Sequence, residues 1–364
     1  TDAWVEAAQA AGYPFNPDYN GETQEGVGFF QLTSKNGRRC STAVAYLNPA
    51  RSRSNLQIVT HAQVQKVNIE NGVATGVTYK ERSGAEVVVK ANREVILSGG
   101  SINSPQLLML SGIGEAAQLQ EHGIEVRKDL NGVGKNMQDH LQARLVYKCN
   151  EPTLNDEVGS LFGQAKIGLK YLMTRTGPMT MAASLATGFI KTREDLETPD
   201  VQFHVQPLSA ENPGKGADKF SAFTMSVCQL RPESRGEIRL VSGDGQVYPK
   251  IIPNYLSTET DCRTVVAGVN IARTIAKHAP LAGKISQEYR PHADLDIDDY
   301  DATLDWARNN TASIYHPTGT CKMGSGQDAV VDAKLRVHGI SGLRVADCSI
   351  MPEIVSGNTN APAI

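Results

Sequence analysis

The chain has 364 residues, of which 40% are hydrophobic, 21% charged and 6% aromatic. This balance is typical of a globular protein and excludes a collagen, a coiled coil and a disordered chain, while the length suggests two structural units. Thirty-six basic and 39 acidic residues give a formal net charge of -3 without a long run of like charges, so no nucleic-acid interface is expected.

The cysteines and the apolar segments favour a reducing, cytoplasmic setting. The six cysteines lie far apart and form no C-x-x-C pair, so neither a zinc site nor a disulfide framework is predicted. The most apolar long stretch, 179–190, is too short to be a transmembrane segment. A cytoplasmic protein could also attach peripherally to the inner membrane, and this possibility stays open.

The first half of the chain predicts a β-meander followed by a strand–turn–helix unit. Short strands are expected at 56–60, 64–70, 73–79 and 85–89. After an apolar run at 95–97, Gly99 begins a glycine turn, and Pro105 is expected at the first position of an apolar helix. Because such a turn at a helix N-terminus commonly holds a nucleotide, a nucleotide contact is predicted near Gly99.

The second half predicts further helices and a second meander. Residues 131–141 have the composition of a glycine-punctuated loop, and the apolar spacing of Leu161, Ala165, Leu169 and Leu172 predicts a helix over 158–175. Strands are expected at 201–206, 222–230, 237–241 and 247–251, and helices at 115–122, 262–278 and 298–310. The last sixty residues are predicted to be strands and loops.

Two histidines have surroundings that suit chemistry. His316 precedes a proline in a glycine-flanked loop, where a rigid backbone holds a side chain outward and lets it act as a base. A lone loop histidine is nevertheless more often structural. His140 follows Asp139, and this pair could orient a base or bind a metal, although a structural role in the loop is the favoured interpretation.

Several other classes of site are disfavoured. No G-x-S-x-G motif occurs, so a serine hydrolase is disfavoured. His316 and Cys321 could be two metal ligands, but no further Cys or His lies nearby in sequence to complete a metal site. No G-x-G-x-x-G dinucleotide fingerprint is present either, since the sequence after Gly132 breaks it at the third glycine. The residues alone therefore predict an α/β enzyme with a nucleotide contact and a candidate base.

Four segments together resemble a known family: GSINSPQLLMLSGIG at 100–114, GVGKNMQDHL at 132–141, YHPTGTCKMG at 315–324 and LRVADCSIMP at 343–352. The first resembles the second signature of the glucose–methanol–choline (GMC) oxidoreductases, which are FAD-dependent alcohol oxidases and dehydrogenases. The others match further family segments in the family's order. The resemblance covers nearly the whole chain and is closest to the choline dehydrogenase-like and aliphatic alcohol dehydrogenase branch.

The resemblance implies an α/β fold with an α+β substrate domain. Residues 51–131 and 300–364 would form part of the FAD-binding domain. Residues 1–50 and 132–299 would form the substrate domain, with an antiparallel sheet and helices. The family's N-terminal βαβ unit and terminal helix are absent from this sequence, so we expect a piece of a longer protein that binds FAD weakly or not at all by itself.

The resemblance also implies roles for individual residues. His316 corresponds to the active-site histidine that faces the flavin, and Asn358 to the second catalytic position, where the family has His or Asn. Asp347 resembles the residue that hydrogen-bonds the ribityl chain or the pyrophosphate, and Val64 resembles a backbone contact to adenine. The other implied cofactor contacts are Gly99, Ala346, Thr359, Asn360 and Pro362, and no metal site is implied.

The implied function is the oxidation of a primary alcohol, choline-like or aliphatic, to the aldehyde. His316 would take the hydroxyl proton, Asn358 would donate to the oxyanion, and a hydride would pass to FAD. The electron acceptor would be a quinone, a dye-like carrier or oxygen. Two alternatives stay open: an enzyme resembling hydroxynitrile lyases, with FAD in a structural role, and an inactive fragment unable to hold FAD.

Overall fold

The computed structural model describes residues 1–211 and 216–364. Its helices are α1 Asp2–Ala10, α2 Asn48–Ala50, α3 Gly100–Leu110, α4 Ala116–Glu121, α5 Leu154–Val158, α6 Leu161–Thr174, α7 Glu259–Ala276, α8 Tyr300–Asn310 and α9 Asn360–Ala363. A π-helical turn spans Ala43–Leu47, and 3₁₀ turns span Pro178–Thr180, Ala282–Lys284 and Cys348–Ile350.

The strands of the first part of the chain are β1 Gly26–Phe29, β2 Ser34–Lys35, β3 Arg38–Arg39, β4 Ala62–Glu70, β5 Val73–Glu81, β6 Glu86–Lys90, β7 Val95–Leu97, β8 Ile113–Gly114 and β9 Lys128–Asp129. Those of the remainder are β10 Leu141–Cys149, β11 Ala186–Ile190, β12 Val201–Gln206, β13 Ala222–Gln229, β14 Glu237–Arg239, β15 Lys250–Ile252, β16 Ile285–Arg290, β17 Thr311–Ser313 and β18 Leu343–Val345.

The chain divides into two compact units. Unit 1 contains Thr1–Ser52, Leu141–Leu230 and Thr258–Ser313, and unit 2 contains Arg53–His140, Arg231–Ser257 and Ile314–Ile364. The main departure from the predicted division at 1–50, 51–131, 132–299 and 300–364 is residues 231–257, which lie in unit 2. The reason is that β14 pairs with β15 and not with the sheet of unit 1, so the predicted second meander is two separate sheets.

Unit 1 is built on a seven-stranded antiparallel sheet in the order β1-β11-β12-β13-β10-β16, with β17 also paired to β10. Helices α1 and α7 bury their apolar residues against it: Trp4 and Val269 belong to the same core as Phe203 and Met225 of the sheet. Helix α7 can approach closely because Gly268 has no side chain, since a Cβ there would lie 2.8 Å from a methyl of Val227. The predicted antiparallel sheet with helices is confirmed.

Unit 2 contains the first meander, β4-β5-β6, and a two-stranded parallel pair of β7 and β18. The segment 56–60 is not a strand, contrary to the prediction. Helix α3 supplies Leu108 and Met109 to a core shared with Val345 of β18.

Helix α3 begins at Gly100, five residues before the predicted start at Pro105. Proline within a helix deprives the carbonyl four residues earlier of its N–H donor. Here that carbonyl belongs to Ser101, and the Thr320 hydroxyl donates to it at 2.7 Å. A side-chain hydrogen bond thus compensates for the interior proline.

None of the helices in the two described stretches is both long and apolar enough to cross a membrane.

Candidate active site

The first part of the candidate site lies where the parallel strands β7 and β18 end. Their carboxyl ends lead to Gly99 and to Ala346, whose N–H donates to the Leu97 carbonyl at 2.8 Å. Asp347 follows directly, at the N-terminus of α3. The carboxyl end of a parallel strand pair beside a helix N-terminus is the usual position of a nucleotide in α/β folds.

The Asp347 carboxylate joins these two chain segments. Its Oδ2 accepts from the Gly100 N–H at 3.0 Å and from the Ser104 hydroxyl at 2.5 Å. Its Oδ1 accepts from the Ser349 N–H at 2.8 Å, and Ser104 Oγ accepts from the Gly99 N–H at 3.0 Å. A carboxylate offers about four acceptor positions, so one remains for a further donor.

The second part of the site is the His316 loop, whose backbone is fixed by neighbouring segments. The His316 N–H donates to Asp139 Oδ1 at 2.9 Å, and the Tyr255 hydroxyl donates to Asp139 Oδ2 at 2.5 Å. Three residues on, Gly319 has φ +86, and a Cβ there would lie 2.5 Å from the Asn136 carbonyl oxygen. Only glycine therefore fits this approach of the two loops.

Both nitrogens of the His316 ring have a neighbour. Nδ1 lies 3.0 Å from Nδ1 of His140, and the two rings are nearly perpendicular at 81°. Nε2 lies 3.4 Å from the Asn358 amide nitrogen. With the Asn358 amide nitrogen assigned as the donor, Nε2 is the acceptor nitrogen and Nδ1 carries the proton that faces His140. In this tautomer the lone pair of His316 lies on the side of Asn358.

Burial controls the protonation of this imidazole. His140 is fully buried and His316 nearly so. Burial lowers the pKa of His316 from its ordinary value of 6.5, and the negative charge of Asp139 opposes this shift. The balance favours the neutral imidazole at neutral pH, which is the form that can accept a proton.

The structure brings the remaining predicted residues together only in part. Thr359 is buried, and its carbonyl oxygen lies 3.9 Å from the Cys348 sulfur, next to Asp347. Asn360 and Pro362 are exposed residues of α9. Val64 is half-buried in β4, and its strand is hydrogen-bonded through Val67 to Ser111, which follows the C-terminal end of α3. Val64 takes no part in the hydrogen bonds that join Gly99 to Asp347.

The sequence analysis missed three residues that support the site. His140, favoured as structural, contacts the His316 ring directly, and its place after Asp139 was the available signal. Ser104 and Tyr255 gave no signal, because their partners Asp347 and Asp139 are 243 and 116 residues away in sequence. Within the ranges 1–211 and 216–364, no group of three or more His, Cys, Asp or Glu side chains could hold a metal ion.

Comparison with known proteins identifies the family. Two family models, both described as GMC oxidoreductase, match residues 1–142 and 232–364. This chain belongs to the GMC oxidoreductase family. The predicted resemblance is therefore confirmed.

Curated relatives of this GMC chain match it along its whole length. An alcohol dehydrogenase [acceptor] of Pseudomonas putida is 41% identical over 364 residues, and an oxygen-dependent choline dehydrogenase of Brucella anthropi is 42% identical. Each match covers 100% of this chain but 66% of the relative. The chain thus spans just under two thirds of the length of these relatives.

Solved structures of the family share its fold. A pyridoxine 4-oxidase from Mesorbium loti superposes with a TM-score of 0.86 at 27% identity, covering 100% of this chain and 67% of that one. A formate oxidase of Aspergillus oryzae RIB40, in a study of FAD modification, gives 0.90 at 25% identity, covering 99% and 67%.

Proposed function

We propose that this chain is part of an FAD-dependent oxidoreductase that oxidises a primary alcohol to the aldehyde. The family membership supports this proposal, as do the names of two relatives, an alcohol dehydrogenase and a choline dehydrogenase, at 41% and 42% identity. The observation that carries it is the buried imidazole of His316, whose Nε2 lies 3.4 Å from the Asn358 amide nitrogen and whose pKa is lowered by burial.

The residues around α3 fit a nucleotide cofactor. Gly100 has φ +79, and no atom lies within 4 Å of where its Cβ would be, so a ligand could approach the backbone there. The buried Ser101 hydroxyl has no hydrogen-bond partner among the described residues. These two features favour a ligand with polar groups at the N-terminal turn of α3.

Charge favours one of the two predicted roles of Asp347. Its carboxylate would repel a pyrophosphate, whereas a hydroxyl of the ribityl chain could donate to the remaining acceptor position. We therefore assign the ribityl contact to Asp347. Gly99, Ala346, Thr359, Asn360 and Pro362 would flank the cofactor, and Val64 is assigned to the adenine end.

Two residues of this chain would carry the proton chemistry. When bound, FAD supplies the acceptor for the hydride that leaves the alcohol carbon. His316 Nε2 would take the hydroxyl proton, and the Asn358 amide would donate to the oxygen as its negative charge develops. His140 would hold the His316 ring through Nδ1, so that the lone pair stays on the substrate side.

The substrate is proposed to be choline-like or aliphatic, and the electron acceptor to be a quinone, a dye-like carrier or oxygen. We place the enzyme in the cytoplasm, with peripheral attachment to the inner membrane.

The proposal is tested by mixing the complete, FAD-loaded protein with a panel of primary alcohols in the absence of oxygen. Loss of the oxidised flavin absorbance with at least one alcohol, with the aldehyde formed in equal amount, is expected. An enzyme of the lyase type would release cyanide from a cyanohydrin and leave the flavin oxidised, which would contradict the proposal.

A further inference from the structure

Only one narrow face of helix α6 in unit 1 is buried. Ser160 caps it by accepting from the Gly163 N–H at 3.0 Å, and it ends at Arg175 in the left-handed conformation, with φ 55. Its buried residues are Gly163 and Ile167, and Tyr171 is half-buried. At about 100° per residue, these three positions lie on one face of the helix.

The opposite face is apolar and points to solvent. Five side chains between 59% and 85% exposed form it: Leu161, Phe162, Leu169, Leu172 and Met173. All lie within about 60° of the direction opposite Ile167. A surface helix ordinarily packs its apolar face against the core, whereas the apolar face of α6 is exposed to solvent. A contiguous exposed patch of this kind marks an interaction site.

The charges along this stripe are all positive. Lys166 and Lys170 are exposed along one edge of it, and Arg175 lies at its C-terminal end, 4.9 Å from the Tyr171 ring. No Asp or Glu occurs from Gly159 to Arg193.

We propose that the outer face of α6 binds the surface of an anionic lipid bilayer. The five apolar side chains would enter the boundary between headgroups and acyl chains, and Lys166 and Lys170 would meet the anionic headgroups. A second copy of the chain fits less well. A two-fold contact through this face would bring the lysines of both copies together without an acidic residue in the segment to offset them.

The inference makes the proposed peripheral location specific and is independent of the proposed alcohol oxidation. If the complete protein oxidises alcohols but does not bind vesicles, only the proposed membrane-binding face is wrong. If it binds vesicles but its flavin is not reduced by alcohols, only the proposed alcohol oxidation is wrong.

The test is co-sedimentation of the complete protein with vesicles made of equal parts phosphatidylglycerol and phosphatidylcholine, compared with phosphatidylcholine alone. We expect binding to the anionic vesicles that weakens as salt rises. The double variant Leu169→Ser/Leu172→Ser should bind roughly tenfold or more weakly, because it removes inserted apolar surface. Phe162→Ser should act in the same direction from the first turn of α6.

The charge contribution is tested by Lys166→Gln/Lys170→Gln, which should weaken anionic-vesicle binding roughly tenfold. Matched controls are Tyr248→Ser, an exposed aromatic residue in unit 2, and Lys90→Gln/Lys250→Gln, two exposed lysines outside α6. The controls should bind like the parent.

Two results would overturn the proposal: the parent protein fails to bind anionic vesicles, or the leucine variant binds them as well as the parent does. If the parent does not bind vesicles and the leucine variant converts an oligomer to a monomer in light scattering, the outer face of α6 is instead a contact with a second copy of the chain.

Discussion

His316 depends on two neighbours that its own loop does not contain. The Asp139 carboxylate accepts a hydrogen bond from the backbone N–H of His316, and Nδ1 of His140 lies 3.0 Å from Nδ1 of the His316 ring. The family resemblance predicted His316 and Asn358, whereas Asp139 and His140 were interpreted as a structural pair in their loop. The two histidines are 176 residues apart in sequence, so a local sequence pattern could not show that their rings are in contact.

Asn358 offers a prediction at the residue scale. Asn358→Ala in the complete enzyme should lower turnover by about 10²–10³, because it removes one donor to the developing oxyanion. FAD content, measured by flavin absorbance, should not change, since Asn358 is exposed and its assigned partner is the substrate. Asn358→His keeps a donor and should lose less. Parent-like turnover of the alanine variant would remove Asn358 from the mechanism.

At the scale of elements, the N-terminus of α3 depends on one carboxylate. Asp347→Ala leaves the Gly100 and Ser349 N–H groups and the Ser104 hydroxyl without their acceptor. A donor left unsatisfied in a partly buried site costs about 1–3 kcal/mol. We therefore expect a clear fall in the urea midpoint of the complete protein, together with weaker FAD retention.

The matched control is Glu94→Ala. Glu94 bonds Arg344 of β18 at 2.6 Å but is a surface ion pair, which is worth about 0–1 kcal/mol. If the urea midpoint fell equally in both variants, Asp347 would contribute no more to stability than a surface ion pair does.

Two elements show where sequence patterns fail. The start of α3 was misjudged because Pro105 is tolerated inside the helix, a result of the distant Thr320 hydroxyl. The periodicity of α6 predicted a helix correctly, but the same leucines face solvent. The hydrophobic period predicts that a helix has an apolar face, but tertiary packing determines whether that face contacts the core or the solvent.

At the scale of the whole molecule, the family and fold class could be predicted because four motifs recur in a fixed order. The division into units could be predicted only roughly. Residues 231–257 were grouped with the earlier strands because all of them carry similar β-patterns. Strand pairing partners depend on long-range contacts, and these place β14 and β15 in unit 2.

The central claim is that His316 is the base in alcohol oxidation. In the parent, flavin reduction should speed up as pH rises and then level off, because only the neutral imidazole accepts a proton. Since burial lowers the pKa of His316, the rise should be centred below the ordinary histidine value of about 6.5.

The most direct measurement is anaerobic stopped-flow reduction of the FAD-loaded complete protein by its alcohol, comparing the parent with His316→Ala. The variant should keep its flavin and be reduced roughly 10²–10⁴ times more slowly, while His292→Ala, at an exposed position, should behave like the parent. A His316→Ala enzyme that is reduced within about threefold of the parent rate would contradict the account.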